Sequence, residues 1–194
     1  MTLASASPRR RELLARLLRE FQVVPSEVEE SLAHPVGPDA VADLALRKAQ
    51  TVAPRVGGLV LAADTVVVID GEPLGKPGDA DEARTMLRRL RGRPHTVITG
   101  LAVVDAGVDR AETAAVVSEV LMRDYADSVI DDYVASGEPL DKAGAYAIQG
   151  VGGGLVGGWI GSYSNIVGLP LEATAGLLAR FGVALTSPGP GSPA

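Results

Sequence analysis

Leu59-Val60-Leu61-Ala62-Ala63-Asp64-Thr65-Val66-Val67-Val68-Ile69 is followed at once by Asp70-Gly71. Eleven residues of almost unbroken aliphatic character, closed by a tight hairpin signal, read as a strand covered on both faces. Strands of that kind belong to sheets flanked by helices. Asp64 breaks the run. A carboxylate in such a strand loses hydration and must be paired, protonated or bound to a metal. It can sit at a sheet end beside a basic neighbour, or it can be chemical.

Outward from this strand, the pattern alternates. Upstream, Val41, Leu44, Ala45 and Val52 recur at helical spacing after Asp39 and stop near Pro54. Lys48 lies on that apolar stripe, four residues from Leu44 and from Val52. Snorkelling would bury only its stem; an inward lysine would instead offer its charge to a buried carboxylate or phosphate. Thr2–Ala4 and Gln22–Pro25 read as short strands. Between them Ser7 is an N-cap and Pro8 a first helical residue, with Leu13, Leu14, Leu17, Leu18 and Phe21 following at helical spacing. Downstream, Asp79–Leu90, Tyr125–Ser136 (apolar set Val129, Ile130, Tyr133, Val134) and Pro170–Phe181 read as helices. Val97–Asp105 and Ala114–Met122 read as strands joined by a turn. The reading is α/β: a mixed β-sheet with flanking helices. Residues 1–186 form one expected domain, and the Pro/Gly/Ser tail 187–194 is expected to be disordered.

Composition narrows the chemistry. The 194 residues contain no cysteine and two histidines, His34 and His95. Disulfides, thiolate metal sites and cysteine nucleophiles are therefore excluded, and so is a polyhistidine metal site. Any metal falls to carboxylates, which favours a hard divalent cation, Mg2+ or Mn2+. A net charge of −6 argues against non-specific nucleic-acid binding. The apolar run 59–69 is too short to span a bilayer and no segment reads as a signal peptide, so the expected location is the cytoplasm. Only Lys48, Lys76 and Lys142 among 18 basic residues are lysine. A lysine kept against that arginine bias hints at a need for a compact ammonium.

Two further stretches stand out. Ser7-Pro8-Arg9-Arg10-Arg11 puts cations at a helix N-terminus, against the helix dipole. A bound anion would explain this, cradled by free N–H groups, the Ser5 and Ser7 hydroxyls and the Arg9 and Arg10 guanidinium groups. A solvated face, with Arg11 paired to nearby acids, is the alternative. Lys76, in Leu74-Gly75-Lys76-Pro77, follows the hairpin that returns the chain toward Asp64. Glu30 ends an acidic run and matters only as a second carboxylate for a metal. The glycine-rich segment 150–161 lacks a phosphate-loop pattern, and hairpin turns with close backbone packing account for it better.

Five segments together resemble the Maf family of nucleotide pyrophosphatases. They are Leu3-Ala4-Ser5-Ala6-Ser7-Pro8-Arg9-Arg10, Ala63-Asp64-Thr65-Val66-Val67, Gly75-Lys76-Pro77, the stretch from Gly137-Glu138-Pro139 through Asp141-Lys142 to Gln149-Gly150, and Gly161-Ser162-Tyr163-Ser164-Asn165 onward to Leu171. Ala62 and Ala6 stand where glycine or another small residue is usual; neither departure removes a functional side chain. The resemblance implies an elongated, two-lobed fold like that of inosine triphosphatases, with a central cleft. It implies hydrolysis of a nucleoside triphosphate between its α and β phosphates with a divalent metal. Asp64 is then the general base or a metal ligand shared with Glu30, with Lys48 and Lys76 as further cleft residues. Arg9, Thr65 and Gln149 match the subgroup acting on dTTP and UTP, which implies house-cleaning of pyrimidine nucleotides, modified ones included. Gln149 would read the base edge, with Thr65 in support. The alternatives are the same chemistry on purine or non-standard nucleotides such as ITP or 7-methyl-GTP, or a non-catalytic nucleotide-binding regulator of septum formation. The expected partner is a small nucleoside triphosphate, without nucleic acid or membrane; a homodimer is left open.

Overall fold

The computed structural model describes residues 1–32 and 36–186. His34, Pro35 and the expected tail 187–194 lie outside the described residues. The elements in chain order are β1 (Thr2–Leu3), α1 (Pro8–Leu14), β2 (Gln22–Val23), α2 (Pro38–Val56), β3 (Leu59–Ile69), β4 (Glu72–Leu74), α3 (Ala80–Leu90), β5 (Pro94–Asp105), β6 (Arg110–Met122), α4 (Asp127–Ala135), β7 (Val156–Ile160), α5 (Tyr163–Val167) and α6 (Leu171–Arg180). Short 3-10 turns join α4 to β7.

The sheet runs β2-β1-β3-β5-β6-β7, with β4 paired to β3 after the Asp70-Gly71 hairpin. β1 lies parallel to β2 and to β3, and the other pairings are antiparallel, so the sheet is mixed as expected. β3 has the bounds read from the sequence, and its residues are buried except at Leu59 and Thr65, which are half-buried.

Because side chains alternate across a strand, β3 builds four packing layers. On one face Val60 and Ala62 pack with Ala45, Ala49 and Val52 of α2, and farther along Val66 and Val68 pack with Val41 and Ile98. On the other face Leu61 and Ala63 join Leu13, Leu14, Leu177 and Leu178, while Val67 and Ile69 join Leu87, Leu90, Ile130 and Tyr133. Each face thus carries two separate apolar clusters, which is the two-lobed arrangement expected. The residues at the seams are Asp64 on the α2 face and Thr65 on the other.

Some local readings differ. The helix after Ser7 ends at Leu14, and Leu17, Leu18 and Phe21 reach the core from the turn and irregular chain that follow. α2 passes Pro54 and ends at Val56. Val129 is exposed on α4, whereas Tyr125, just before it, is buried. The glycine-rich segment holds a 3-10 turn and the edge strand β7, and α5 is a further helix that the sequence pattern did not reveal.

Candidate active site

A cleft of about 450 Å³ opens at the seam between the lobes. Ser5, Ser7, Arg9, Arg10, Glu30, Lys48, Asp64, Thr65, Lys76 and Gln149 all line it. These positions are scattered over 145 residues of chain, and the fold brings every one of the expected site residues to the same cavity.

Asp64 is placed by its parity in β3. It shares a face with Val60 and Ala62, which α2 covers, and Lys48 approaches from α2 on that side. The Lys48 Nζ bonds the Asp64 carboxylate and, at 2.7 Å, Glu30 Oε1. Lys48 is buried and Asp64 nearly so, while Glu30 stays more than half exposed. Lys48 is therefore an inward lysine, not a snorkelling one. Burial works to raise the Glu30 carboxyl, but the Lys48 ammonium, with Lys76 and Arg10 beyond it, outweighs burial and holds it below its usual range. Lys76 arrives just beyond β4, which pairs with the strand carrying Asp64, so the hairpin does return it to the cleft.

Thr65 faces the other way and meets Arg10. Arg10 Nη2 donates to Thr65 Oγ1 (3.0 Å), Nη1 to Ser5 Oγ (3.3 Å) and Nε to the Gly168 carbonyl (2.9 Å). Thr65 and Thr99 hydroxyls lie 2.9 Å apart, and Thr99 donates to the Asn165 carbonyl (3.0 Å). Thr99 spends its proton on that carbonyl, so Thr65 donates to Thr99 and turns a lone pair to Arg10. Among the described residues, three of the five N–H donors of Arg10 are thus committed to the protein, and the others remain for an anion. Burial lowers the guanidinium below its usual pKa, opposed by Asp64 and Glu30. Ser7 caps α1, accepting from Arg10 N (3.4 Å), and Ser5 Oγ accepts from Ser7 N (3.2 Å). α1 has only seven residues. Its dipole is correspondingly slight, and the anion cradle rests on side chains.

Beyond the ten residues legible in the sequence, the cleft is lined by others, among them Ser26, Asp141, Lys142 and Tyr146. Lys142 bonds the Asp141 carboxylate, and this bond, with the charges of Lys142 and Arg9, holds the Asp141 carboxyl below its usual range. The signal for Lys142 was present: all three lysines of this arginine-rich chain line one cleft. Five cationic side chains, Arg9, Arg10, Lys48, Lys76 and Lys142, stand there against the carboxylates of Glu30, Asp64 and Asp141. A protein of net charge −6 thus carries a local excess of cations, five against three carboxylates, where a polyanion would sit.

Among the described residues, no group of three or more His, Asp or Glu side chains converges as a metal site. Asp64 and Glu30 converge on one point, the Lys48 nitrogen. Two carboxylates suffice for Mg2+ or Mn2+ when substrate phosphates and water complete the shell, so the donor types fit such a cation, which would take its place beside the position that the Lys48 ammonium holds between them. Among the described residues, no helix is long and apolar enough to cross a membrane.

Residues 1–181 match the family model described as Maf-like protein. The chain is 53% identical to the dTTP/UTP pyrophosphatase of Moorella thermoacetica, over 94% of this chain and 95% of that one. It is 51% identical to the protein of that name from Thermococcus onnurineus (89% and 92%) and 52% identical to the one from Anaeromyxobacter dehalogenans (95% and 95%). A solved structure of a HAM1 protein from Coxiella burnetii superposes with a TM-score of 0.50 at 19% identity, covering 92% of this chain and 98% of that one, a likeness of fold alone. With a family model spanning nearly the whole chain and relatives at half identity, the chain belongs to the Maf family.

Proposed function

We propose that this chain is a nucleoside triphosphate pyrophosphatase that hydrolyses dTTP and UTP to the monophosphate and pyrophosphate. The observation that carries the reading is the convergence of Asp64, Lys48, Glu30 and Lys76 with Arg9, Arg10 and Gln149 in one cleft. Relatives at about half identity that bear the name dTTP/UTP pyrophosphatase support the same substrates.

The triphosphate lies along the cations. Arg10, held rigid by Ser5, Thr65 and Gly168, offers its remaining N–H groups to phosphate oxygens, and Arg9, Lys76 and Lys142 neutralise further charge. Lys48 fixes one oxygen of Asp64, leaving the other to take a proton from water. That water attacks the α phosphorus, the bond to the bridging oxygen breaks, and pyrophosphate leaves with its charge held by the cationic wall. Gln149, with both a donor and an acceptor, faces the base edge. Where Asp64 serves as a ligand instead of as the base, it and Glu30 would hold Mg2+ or Mn2+. When bound, the cation supplies Lewis acidity at the α phosphoryl group and acidifies water.

Pyrophosphate release measured with dTTP, UTP, CTP, GTP, ITP and 7-methyl-GTP, in EDTA and with Mg2+ or Mn2+ restored, tests this. dTTP and UTP turn over fastest and only with metal. Faster turnover of ITP or 7-methyl-GTP would overturn the substrate reading, and full activity in EDTA would overturn the metal.

A further inference from the structure

We propose that Glu138 and Tyr133, neither of which lines the cleft, form a clamp that positions Gln149 and so sets the choice of base. The proposal rests on the function proposed above, in which Gln149 reads that base.

Gln149 lies in a loop between two 3-10 turns, with no sheet or helix to hold it. Its neighbours are tied instead to one pair of side chains. On one side of Gln149, the Ala147 N–H donates to Tyr133 Oη (3.3 Å). On the other, Val151 N donates to Glu138 Oε2 (3.2 Å) and Gly152 N to Glu138 Oε1 (3.1 Å). Tyr133 Oη donates to the same Oε1 (3.0 Å), which joins the two halves. The segment 147–152 is therefore drawn around a tyrosine–glutamate post, with Gln149 near its middle.

The packing is specific to that post. A Cβ on Gly152 would lie 2.4 Å from Tyr133 Oη and 2.6 Å from the Ala147 carbonyl, so only glycine lets the loop close this tightly. Tyr133 is buried at the end of α4 within the core that holds Leu87, Leu90 and Ile130, so the post itself is rigid. Ile148, beside Gln149, packs against both lobes. Glu138 can make this connection because the chain turns back after α4, where Ser136 Oγ accepts from Glu138 N (3.2 Å). A carboxylate is the suitable acceptor: it takes two backbone N–H groups and a phenol at once, which no neutral side chain of that length does. The glycine-rich stretch and the Gly137-Glu138-Pro139 motif, idle in the chemistry, are thereby assigned to placing the base reader. Glu138 and Tyr133 are positioning residues; they touch Gln149's backbone neighbours and no reacting atom.

The test uses the full chain with Glu138→Ala, Glu138→Gln and Tyr133→Phe. It measures kcat and KM for UTP, dTTP and CTP, and inhibition by inorganic tripolyphosphate as a probe of the cationic end alone. The clamp predicts that KM for UTP and dTTP rises by about tenfold to a hundredfold in Glu138→Ala, that preference over CTP shrinks, and that tripolyphosphate inhibits as before. Glu138→Gln, which keeps one carbonyl acceptor, falls between wild type and alanine. If the alanine variant does not fold, Tyr133→Phe and Glu138→Gln carry the comparison. Preference for UTP over CTP undiminished in the variants that fold overturns the clamp. So does an equal loss of kcat on all nucleotides with weakened tripolyphosphate inhibition, the mark of general disorder. A wild-type enzyme without preference for UTP over CTP would instead sink the substrate reading beneath it.

Discussion

Asp64 and Thr65 are neighbours in the chain that work on opposite faces of one strand: Asp64 with Lys48 and Glu30, Thr65 with Arg10 and Thr99. Asp64→Asn keeps the shape and an acceptor for Lys48 but removes the base. Turnover is expected to fall by about 10²–10⁴-fold with the native circular dichroism spectrum retained, and near-normal pyrophosphate release would remove Asp64 from the chemistry. His95 is a residue the proposed reaction does not use. It is buried at the start of β5, 2.7 Å from Tyr146 Oη, with Nδ1 unpartnered among the described residues. Burial pushes it down to about 4, so it is neutral in the folded protein at pH 7. Between about 6.5 and 4 the unfolded chain binds a proton that the native one refuses, so stability is full above that window and lost as pH falls through it. The full drop is about 3 kcal/mol. The carboxylate pairs weaken only below about 4.5, the ordinary value for glutamate, so urea unfolding at pH 7 and pH 5 isolates the histidine. His95→Phe should flatten that difference; an unaltered slope would mean His95 is not the group responsible.

At the scale of elements, the site depends on how closely α2 lies on the sheet. Gly100 of β5 pairs with Asp64 across the ladder, and a Cβ there would sit 2.3 Å from the Val41 carbonyl of α2. Gly100→Ala must lift α2, and with it Lys48, away from Asp64. Overpacking costs about 1–3 kcal/mol, and kcat should fall further than the unfolded fraction explains. Urea midpoints beside kcat per folded molecule check this, and full activity in the folded fraction would show that the helix has room to move. β3 was legible end to end because continuous burial and a hairpin signal agree. β7 was not, since Gly157 and Gly158 have no strand preference and the strand exists by pairing with β6. Leu17, Leu18 and Phe21 kept helical spacing beyond the end of α1 because burial against the same core needs no helical backbone.

For the whole molecule, the distribution of charge matters more than its sum. The chain is acidic, yet five cations line its cleft. Raising salt from about 0.1 M to 1 M shortens the screening length from about 10 Å to about 3 Å. KM for UTP should then rise severalfold while kcat changes less. Steady-state kinetics in a KCl series measure this, and a flat KM would show that short hydrogen bonds, not the field, hold the triphosphate.

Sequence alone determined the α/β class, the buried central strand, the misfit of Asp64 and Lys48 in apolar surroundings, and the anion signal at Ser7–Arg10, because periodicity and desolvation cost are local properties of a chain. Tertiary structure decided which misfits meet. Lys48 could have snorkelled, and Lys142 carried no sign of its destination beyond being a lysine. The parity of β3 against α2 and the seam between two cores are long-range facts, fixed by sheet order and packing. They alone place residues 5 and 149 on the walls of one cleft.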